Sequence, residues 1–147
     1  MPTERKLRVF LCHASQDKPV VRDLYKRLGA ELWIDPWLDE ERLLPGQDWN
    51  LEIEKAVEAS DVVIVFVSKV SVAKEGYVQR ELRQVLRVAL EKLEGEIFVL
   101  PVRLDDSPIP RQLSGKQFVD HFPKSRQAAA YDKLIEALKI RKNHLGI

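Results

Sequence analysis

A tyrosine and a glutamate four residues apart, Tyr77 and Glu81, are the residues of this sequence best placed for chemistry. They follow an apolar run that ends at Ser68, so the sequence predicts a buried strand, a short polar link and then a helix. Side chains four residues apart lie on the same face of a helix. Open α/β folds hold their ligands just beyond the carboxyl ends of the strands. Glu81 is therefore the first candidate for a group that presents a fixed negative charge to a ligand.

The same glutamate also has an ordinary structural explanation. A carboxylate near the start of a helix interacts favourably with the helix dipole, and most glutamates lie on solvated surface. Glu75 is a second carboxylate in this segment, but no aromatic residue lies one turn before it. On these residues alone, a ligand-binding and a surface role for Glu81 both remain open.

The elements that must position this pair alternate along the whole chain. Strands are predicted at residues 7–12, 31–35, 61–67, 96–104 and 117–122. Helices are predicted after the first three strands and at 125–138, and an irregular segment at 105–116 after the fourth strand. After Asp61, the third strand is apolar at every position, which is typical of a strand in the middle of a parallel sheet covered by helices. The pattern predicts an α/β domain in which a five-stranded parallel sheet has helices on both faces.

Several local signals refine this outline. Ser15 or Asp17 is expected to cap the first helix, and Gly29 to end it in a left-handed conformation. Pro101 near the end of the fourth strand favours an edge or a bulge. We expect one domain over residues 5–139, followed at 140–147 by a frayed tail or the start of a linker.

Composition excludes several classes of partner. The chain has 24 basic and 23 acidic residues and a net charge of +1, so no overall field would attract nucleic acid or an anionic membrane. No apolar run approaches the roughly 20 residues of a membrane-spanning helix, and the first residues do not resemble a signal peptide. A single cysteine, Cys12, cannot form an internal disulfide and is expected as a buried thiol. The sequence predicts a cytoplasmic protein.

Common cofactor and metal motifs are absent from the sequence. It has no G-x-G-x-x-G and no Walker sequence, and its three histidines and one cysteine lack zinc-site spacing. A phospho-receiver would need paired acids after the first strand, where the sequence reads VFLCH at 9–13. We therefore expect neither a metal nor a bound cofactor.

Four motifs occur in an order that is more specific than any of them alone. They are VFLCHASQD at 9–17, LPGQDW at 44–49 with Ile53, the helix of Glu81, and FVDHF at 118–122. Together they resemble the Toll/interleukin receptor (TIR) domain family, particularly its bacterial members. The resemblance extends over almost the whole chain and implies a flavodoxin-like three-layer α/β sandwich.

The resemblance implies one of two functions. Some TIR domains cleave NAD⁺ at the nicotinamide–ribose bond, which gives nicotinamide and ADP-ribose or a cyclic isomer, in defence or signalling pathways. Their essential glutamate matches Glu81, and an aromatic residue, commonly Trp, matches Tyr77. NAD⁺ is then a substrate rather than a cofactor. Other members are non-catalytic modules that bind other TIR domains by homotypic assembly.

The NAD⁺-cleaving alternative makes chemical sense with one carboxylate. A glycosidase normally needs an acid for the leaving group and a second carboxylate for the sugar. Nicotinamide in NAD⁺ is already cationic and leaves neutral, so the acid is not needed. Glu81 could stabilise positive charge on the ribose, bind its hydroxyls or act as a transient nucleophile.

Further contacts to the substrate are expected around this carboxylate. Backbone N–H groups of the loop after the first strand suit a phosphate or a ribose hydroxyl. Trp37, in a charged loop at 36–48, is expected to gate the pocket and to contact a neighbouring subunit, as the resemblance implies. The expected substrate-binding residues are Phe10, His13, Ala14, Ser15, Trp37, Trp49, Ser71 and Tyr77.

Overall fold

The computed structural model describes residues 5–13, 17–38, 45–46, 49–69, 87, 98–109, 113 and 118–147. The elements in chain order are β1 (Leu7–Cys12), α1 (Lys18–Gly29), β2 (Ile34–Trp37), α2 (Trp49–Glu58), β3 (Val62–Val67), β4 (Phe98–Arg103), β5 (Val119–Asp120), a 3₁₀ turn (Lys124–Arg126) and α3 (Gln127–Leu145). The long helix expected around residues 78–93 lies outside the described residues except at Arg87, which is helical. No helix of the described part is long and apolar enough to cross a membrane.

The five strands form one sheet in the order β2-β1-β3-β4-β5, and every neighbouring pair is parallel. The structure therefore confirms the predicted flavodoxin-like arrangement. From β1 the chain turns to β2 on one side, whereas β3 pairs on the other side of β1. From β3 the chain continues to β4 on the far side, so the strand order reverses between β1 and β3. Doubly wound sheets bind ligands beyond the carboxyl ends of the strands at such a switch point.

β3 is the centre of the core, and each of its six residues is at most 2% exposed. Val62, Ile64 and Phe66 face a cluster completed by α1 and α3. The intervening Val63, Val65 and Val67 face a second cluster with Val57 of α2. A strand covered on both faces needs apolar residues at every position, which explains its lack of alternation.

β2 begins three residues later than the sequence pattern indicates. The strand was expected at 31–35, but Leu32 is 87% exposed in the preceding turn and the strand covers Ile34–Trp37. Trp37 is thus the last residue of a strand, and its expected position in the charged loop is wrong. Pro36 fits because β2 is an edge strand, where a missing N–H is tolerated.

Pro101 was expected near an edge or a bulge but lies inside β4, paired with Val65 of β3. Leu104 N–H donates to Val67 on β3, and Arg103 C=O accepts from His121 beside β5. Since alternate residues direct their backbone groups to alternate neighbours, Pro101 faces the β5 side. Pairing with β5 begins only at Val102, so the N–H that Pro101 lacks is not needed for a hydrogen bond to β5.

Both predicted helix ends differ from the structure. Gly29 is the last residue of α1 and is not left-handed; among the described glycines, positive φ occurs at Gly46 and Gly146. α3 continues past the predicted boundary at 139 and ends at Leu145, before the left-handed Gly146. Arg141 is buried and Leu145 packs against the core, so 140–147 is not a frayed tail.

Candidate functional site

The switch point at the carboxyl ends of β1 and β3 is the candidate site, because flavodoxin-like sheets bind ligands at this position. His13 directly follows β1 and is 9% exposed. Ser68 directly follows β3 and is 1% exposed. Asp105 lies just beyond β4, which pairs with β3 on its other side. Three strands that are neighbours in the sheet, β1, β3 and β4, are therefore followed by polar side chains at the same edge.

Asp17 connects α1 to the end of β3. Ser68 Oγ donates to Asp17 Oδ2 over 2.6 Å. Asp17 occupies the N-cap position of α1, but within the described residues its side chain makes no capping hydrogen bond. The expectation of Asp17 as a helix cap is therefore wrong, because its carboxylate instead binds the buried serine hydroxyl.

Asp105 holds the same strand end from the other side. Lys69 N–H donates to both carboxylate oxygens of Asp105, each at 3.1 Å, and Ser107 N–H donates to Oδ1 at 3.0 Å. The start of the segment that leads to Tyr77 and Glu81 is thus held by a carboxylate from each flanking connection.

The pKa of Asp17 reflects its surroundings at this edge. Burial raises the pKa of Asp17 above its usual range, and the negative charge of Asp105 raises it further. The hydrogen bond from Ser68 and the proximity of His13 act in the opposite direction but do not outweigh burial. This edge of the sheet therefore disfavours additional negative charge near Asp17 and favours a cationic group.

Phe10 and Trp37 lie together, but they belong to the core beneath α2. Their rings stack with centroids 4.9 Å apart and an interplanar angle of 15°, and Phe10 is 2% exposed. Trp37 lines a cavity of about 310 Å³ with Arg8, Lys55 and other residues near the beginning of β1 and the end of α2. In the described residues, that cavity is separate from the edge where His13 and Ser68 lie.

The remaining expected site residues lie wholly or partly outside the part of the chain that the structure describes. Ala14, Ser15, Ser71, Tyr77 and Glu81 lie outside the described residues. Trp49 begins α2, but only its backbone is among the described parts. Their roles stay predictions.

A second polar cluster at the β4–β5 edge was not anticipated from the sequence. Arg103 donates to both carboxylate oxygens of Asp120, at 2.7 and 3.0 Å, and its guanidinium lies 4.9 Å from the ring centre of Phe118. The hydrogen bond from Arg103 is the main reason why the pKa of Asp120 is lowered. A basic residue at a strand end gives no sequence signal of its partner, since that partner comes from the next strand.

Metal binding has no structural support in this part of the chain. Across residues 5–13, 17–38, 49–69, 98–109 and 118–147, no three His, Cys, Asp or Glu side chains are grouped as metal ligands would be. Cys12 is a buried thiol, as expected. The chemistry available at the described edge is that of carboxylates, a hydroxyl and an imidazole.

Solved structures share this fold at low sequence identity. The TIR domain of the Toll-related receptor TRR-2 from Hydra magnipapillata matches with a TM-score of 0.71 and 19% identity, covering 89% of this chain and 97% of that one. A prokaryotic SEFIR domain matches with a TM-score of 0.70 and 16% identity, covering 90% and 92%. The TIR domains of the activated Roq1 resistosome match with a TM-score of 0.59 and 24% identity, covering 95% and 77%.

Sequence comparison identifies the family. A search of curated protein sequences finds no match. The family model for the TIR domain, however, matches residues 9–135, which include every strand from β1 to β5 except the first residues of β1. The chain therefore belongs to the TIR domain family.

Proposed function

We propose that this TIR domain cleaves NAD⁺ at the nicotinamide–ribose bond and releases nicotinamide together with ADP-ribose or a cyclic isomer. The observation that carries the proposal is the cluster of polar side chains at the β1/β3 switch point. The segment that leads to Glu81 starts there, at Ser68 and Lys69, and two carboxylates hold its origin. We place the reaction in cytoplasmic defence or signalling, which the single cysteine of the sequence and the family support.

The chemical step requires little from the protein beyond a well-placed anion. The bond between nicotinamide nitrogen and the ribose carbon breaks with its electron pair moving to nicotinamide, which becomes neutral. Positive charge develops on the ribose, and a fixed carboxylate stabilises that charge without having to reorganise. The ribose carbon then forms a bond to water, which loses a proton and gives ADP-ribose, or to a nucleophilic atom of the same nucleotide, which gives the cyclic isomer. Glu81 is the proposed carboxylate, with Tyr77 packing against nicotinamide or ribose.

The electrostatics of the described edge agree with this charge distribution. Asp17 and Asp105 lie close enough for the charge of Asp105 to raise the pKa of Asp17. Such a site favours a ligand group that is cationic before the reaction and a sugar that becomes cationic during it. The diphosphate of NAD⁺ would lie farther out, near the N–H groups that follow His13.

Replacing Glu81 tests the assignment directly. Glu81→Gln keeps the size of the side chain and removes its charge, so we expect nicotinamide release to fall about 100-fold or more. Glu75→Gln is the matched control, since it removes a carboxylate from the same segment, and it should retain wild-type turnover. Chromatographic measurement of nicotinamide and of the ADP-ribose product checks both variants.

Two outcomes would overturn parts of the proposal. Equal turnover by wild type and Glu81→Gln would leave the enzyme but remove Glu81 as its catalytic group. No nicotinamide release by wild type, even at high protein concentration and with crowding agents, would remove the enzymatic function.

The second candidate function is a non-catalytic module that assembles with other TIR domains. It is supported by the family and by the similarity to the TIR domains of the Roq1 resistosome, which is an assembly. Light scattering that shows a mass increasing with concentration, together with no NAD⁺ cleavage in the assembled state, would favour this function.

A further inference from the structure

Two carboxylates from different connections form hydrogen bonds with the residues that directly follow β3. Asp17 accepts a hydrogen bond from the Ser68 side chain over 2.6 Å, and Asp105 accepts two from the backbone N–H of Lys69. These carboxylates come from the connections that follow β1 and β4, the two neighbours of β3. The direction in which the chain leaves β3 is thereby fixed from both sides.

Asp17 makes this contact instead of a local one. An aspartate at an N-cap position ordinarily accepts from the first free N–H groups of its helix, and this stabilises the helix. Within the described residues the Asp17 side chain makes no such bond. Burial raises its pKa, so the fold also disfavours the charged form that binds Ser68 most strongly. Neither helix capping nor the stability of the charged form therefore explains an aspartate at this position.

We propose that Asp17 is a positioning residue for the NAD⁺-cleaving reaction: its hydrogen bond to Ser68 fixes the loop after β1 against the origin of the segment that carries Glu81. The inference rests on the proposed function and deepens it. Asp17 acts through Ser68 and does not itself touch the substrate. In the proposed function, the loop after β1 binds the polar part of NAD⁺ and Glu81 acts at the bond that breaks. Their relative position therefore decides whether bound NAD⁺ is aligned for cleavage.

The expected kinetic effect follows from this arrangement. Catalysis depends steeply on the distance between a reacting bond and the group that stabilises its transition state. Loss of the Asp17–Ser68 hydrogen bond removes none of the groups that bind NAD⁺, but it changes their position relative to Glu81. The turnover number should fall while KM changes little.

The test compares variants that break this hydrogen bond with one that keeps it. Asp17→Ala and Ser68→Ala should each lower kcat about 10- to 100-fold, since both remove the same contact. Asp17→Asn keeps an oxygen that can accept from Ser68 but removes the negative charge, so its kcat should stay well above that of Asp17→Ala. The double variant Asp17→Ala/Ser68→Ala should be no worse than the poorer single variant, because one interaction is lost in all three. Asp106→Ala is the control, an exposed carboxylate of the same edge that pairs with Lys69.

The outcomes separate this inference from the proposed function and from a merely structural role. No nicotinamide release by wild type would remove the proposed function itself. An active wild type with a fully active Asp17→Ala variant would overturn the positioning role alone. Activity that falls only in proportion to the folded fraction, measured by circular dichroism on the same samples, would also overturn it. If Asp17→Ala does not fold, Ser68→Ala and Asp17→Asn decide, because the first removes the hydrogen bond and keeps the charge, whereas the second keeps an acceptor oxygen and removes the charge. A larger loss of kcat in Ser68→Ala supports the positioning role. An equal or larger loss in Asp17→Asn would overturn it, since the charge would then matter at least as much as the hydrogen bond.

Discussion

At the scale of single residues, Asp61 shows how one carboxylate joins three parts of the chain. Arg5 donates to both of its side-chain oxygens, at 2.7 and 2.9 Å, and Arg8 N–H donates to Oδ2 at 2.8 Å. The Asp61 carbonyl accepts from Arg141 Nε at 3.4 Å. The amino ends of β1 and β3 and the late part of α3 meet here, at the sheet edge opposite the candidate site.

We expect Asp61→Asn to lower the free energy of unfolding by about 1–2 kcal/mol at neutral pH, since charge-assisted hydrogen bonds contribute more than neutral ones and Arg5 is partly exposed. Urea denaturation measures the change. Asp106→Asn is the control, because its ion pair with Lys69 is fully exposed and should contribute little.

The pH dependence of this difference has a definite sign. Burial acts to raise the pKa of Asp61, but the Arg5 and Arg8 hydrogen bonds and charges outweigh it, and the net pKa is lowered. A lowered pKa stabilises the fold above the ordinary carboxyl range, and this contribution is lost as pH falls through the lowered value. Wild type and Asp61→Asn should therefore converge in stability at acidic pH. A difference that grew on acidification would contradict the assignment.

The candidate site was only partly predictable at this scale. The sequence placed Ser68 at the end of β3 and His13 at the end of β1, and the structure confirms both positions. It assigned Asp17 to its own helix, because local patterns describe bonds between neighbours in sequence. The actual partner, Ser68, comes from another strand, so only the packed sheet could identify it.

At the scale of elements, two glycines test the corrected helix end. Gly29 is helical at the end of α1, and a Cβ there would lie 3.8 Å from Pro36 Cγ, an ordinary contact. Gly46 has a φ of +88°, which side chains rarely adopt. The same substitution should therefore act in opposite directions at the two positions.

Gly29→Ala should raise the free energy of unfolding by about 0.4–1 kcal/mol, because alanine restricts the unfolded chain at no steric cost in the fold. Gly46→Ala should lower it by about 1 kcal/mol through backbone strain. Chemical denaturation of both variants checks the pair. Destabilisation by Gly29→Ala would restore the left-handed helix end that the sequence pattern indicated.

The predicted boundaries of elements were wrong where contacts with distant residues outweighed the local sequence pattern. The polar residues Arg141 and Lys142 favoured an end for the last helix near 139. Arg141 instead reaches the Asp61 carbonyl, and Leu145 and Ile147 pack against the core. The helix is extended by contacts with residues far away in sequence, which its own pattern does not contain.

At the scale of the whole molecule, two apolar clusters share β3. Trp33 packs against the cluster beneath α1 and α3, and Trp37 against the cluster beneath α2. Because alternate side chains of β3 belong to the two clusters, neither cluster can lose its packing without exposing one face of β3. The domain should therefore unfold as a single cooperative unit.

Tryptophan fluorescence can follow each cluster separately. Trp37→Phe/Trp49→Phe leaves Trp33 as the reporter, and Trp33→Phe/Trp49→Phe leaves Trp37. In each variant, the urea midpoint from fluorescence should equal the midpoint from far-UV circular dichroism. A fluorescence midpoint that precedes the loss of secondary structure in only one variant would show that the two layers unfold independently.

The sequence by itself determined the number of strands, their parallel arrangement and the buried position of β3, because alternation and its absence report burial directly. It also indicated the family through the order of its motifs. The tertiary structure decided what local patterns cannot contain: the shift of Trp37 into the edge strand, the length of α3, and the carboxylates that hold the end of β3. Each of these depends on a contact between residues distant in sequence, and such contacts exist only once the sheet has formed.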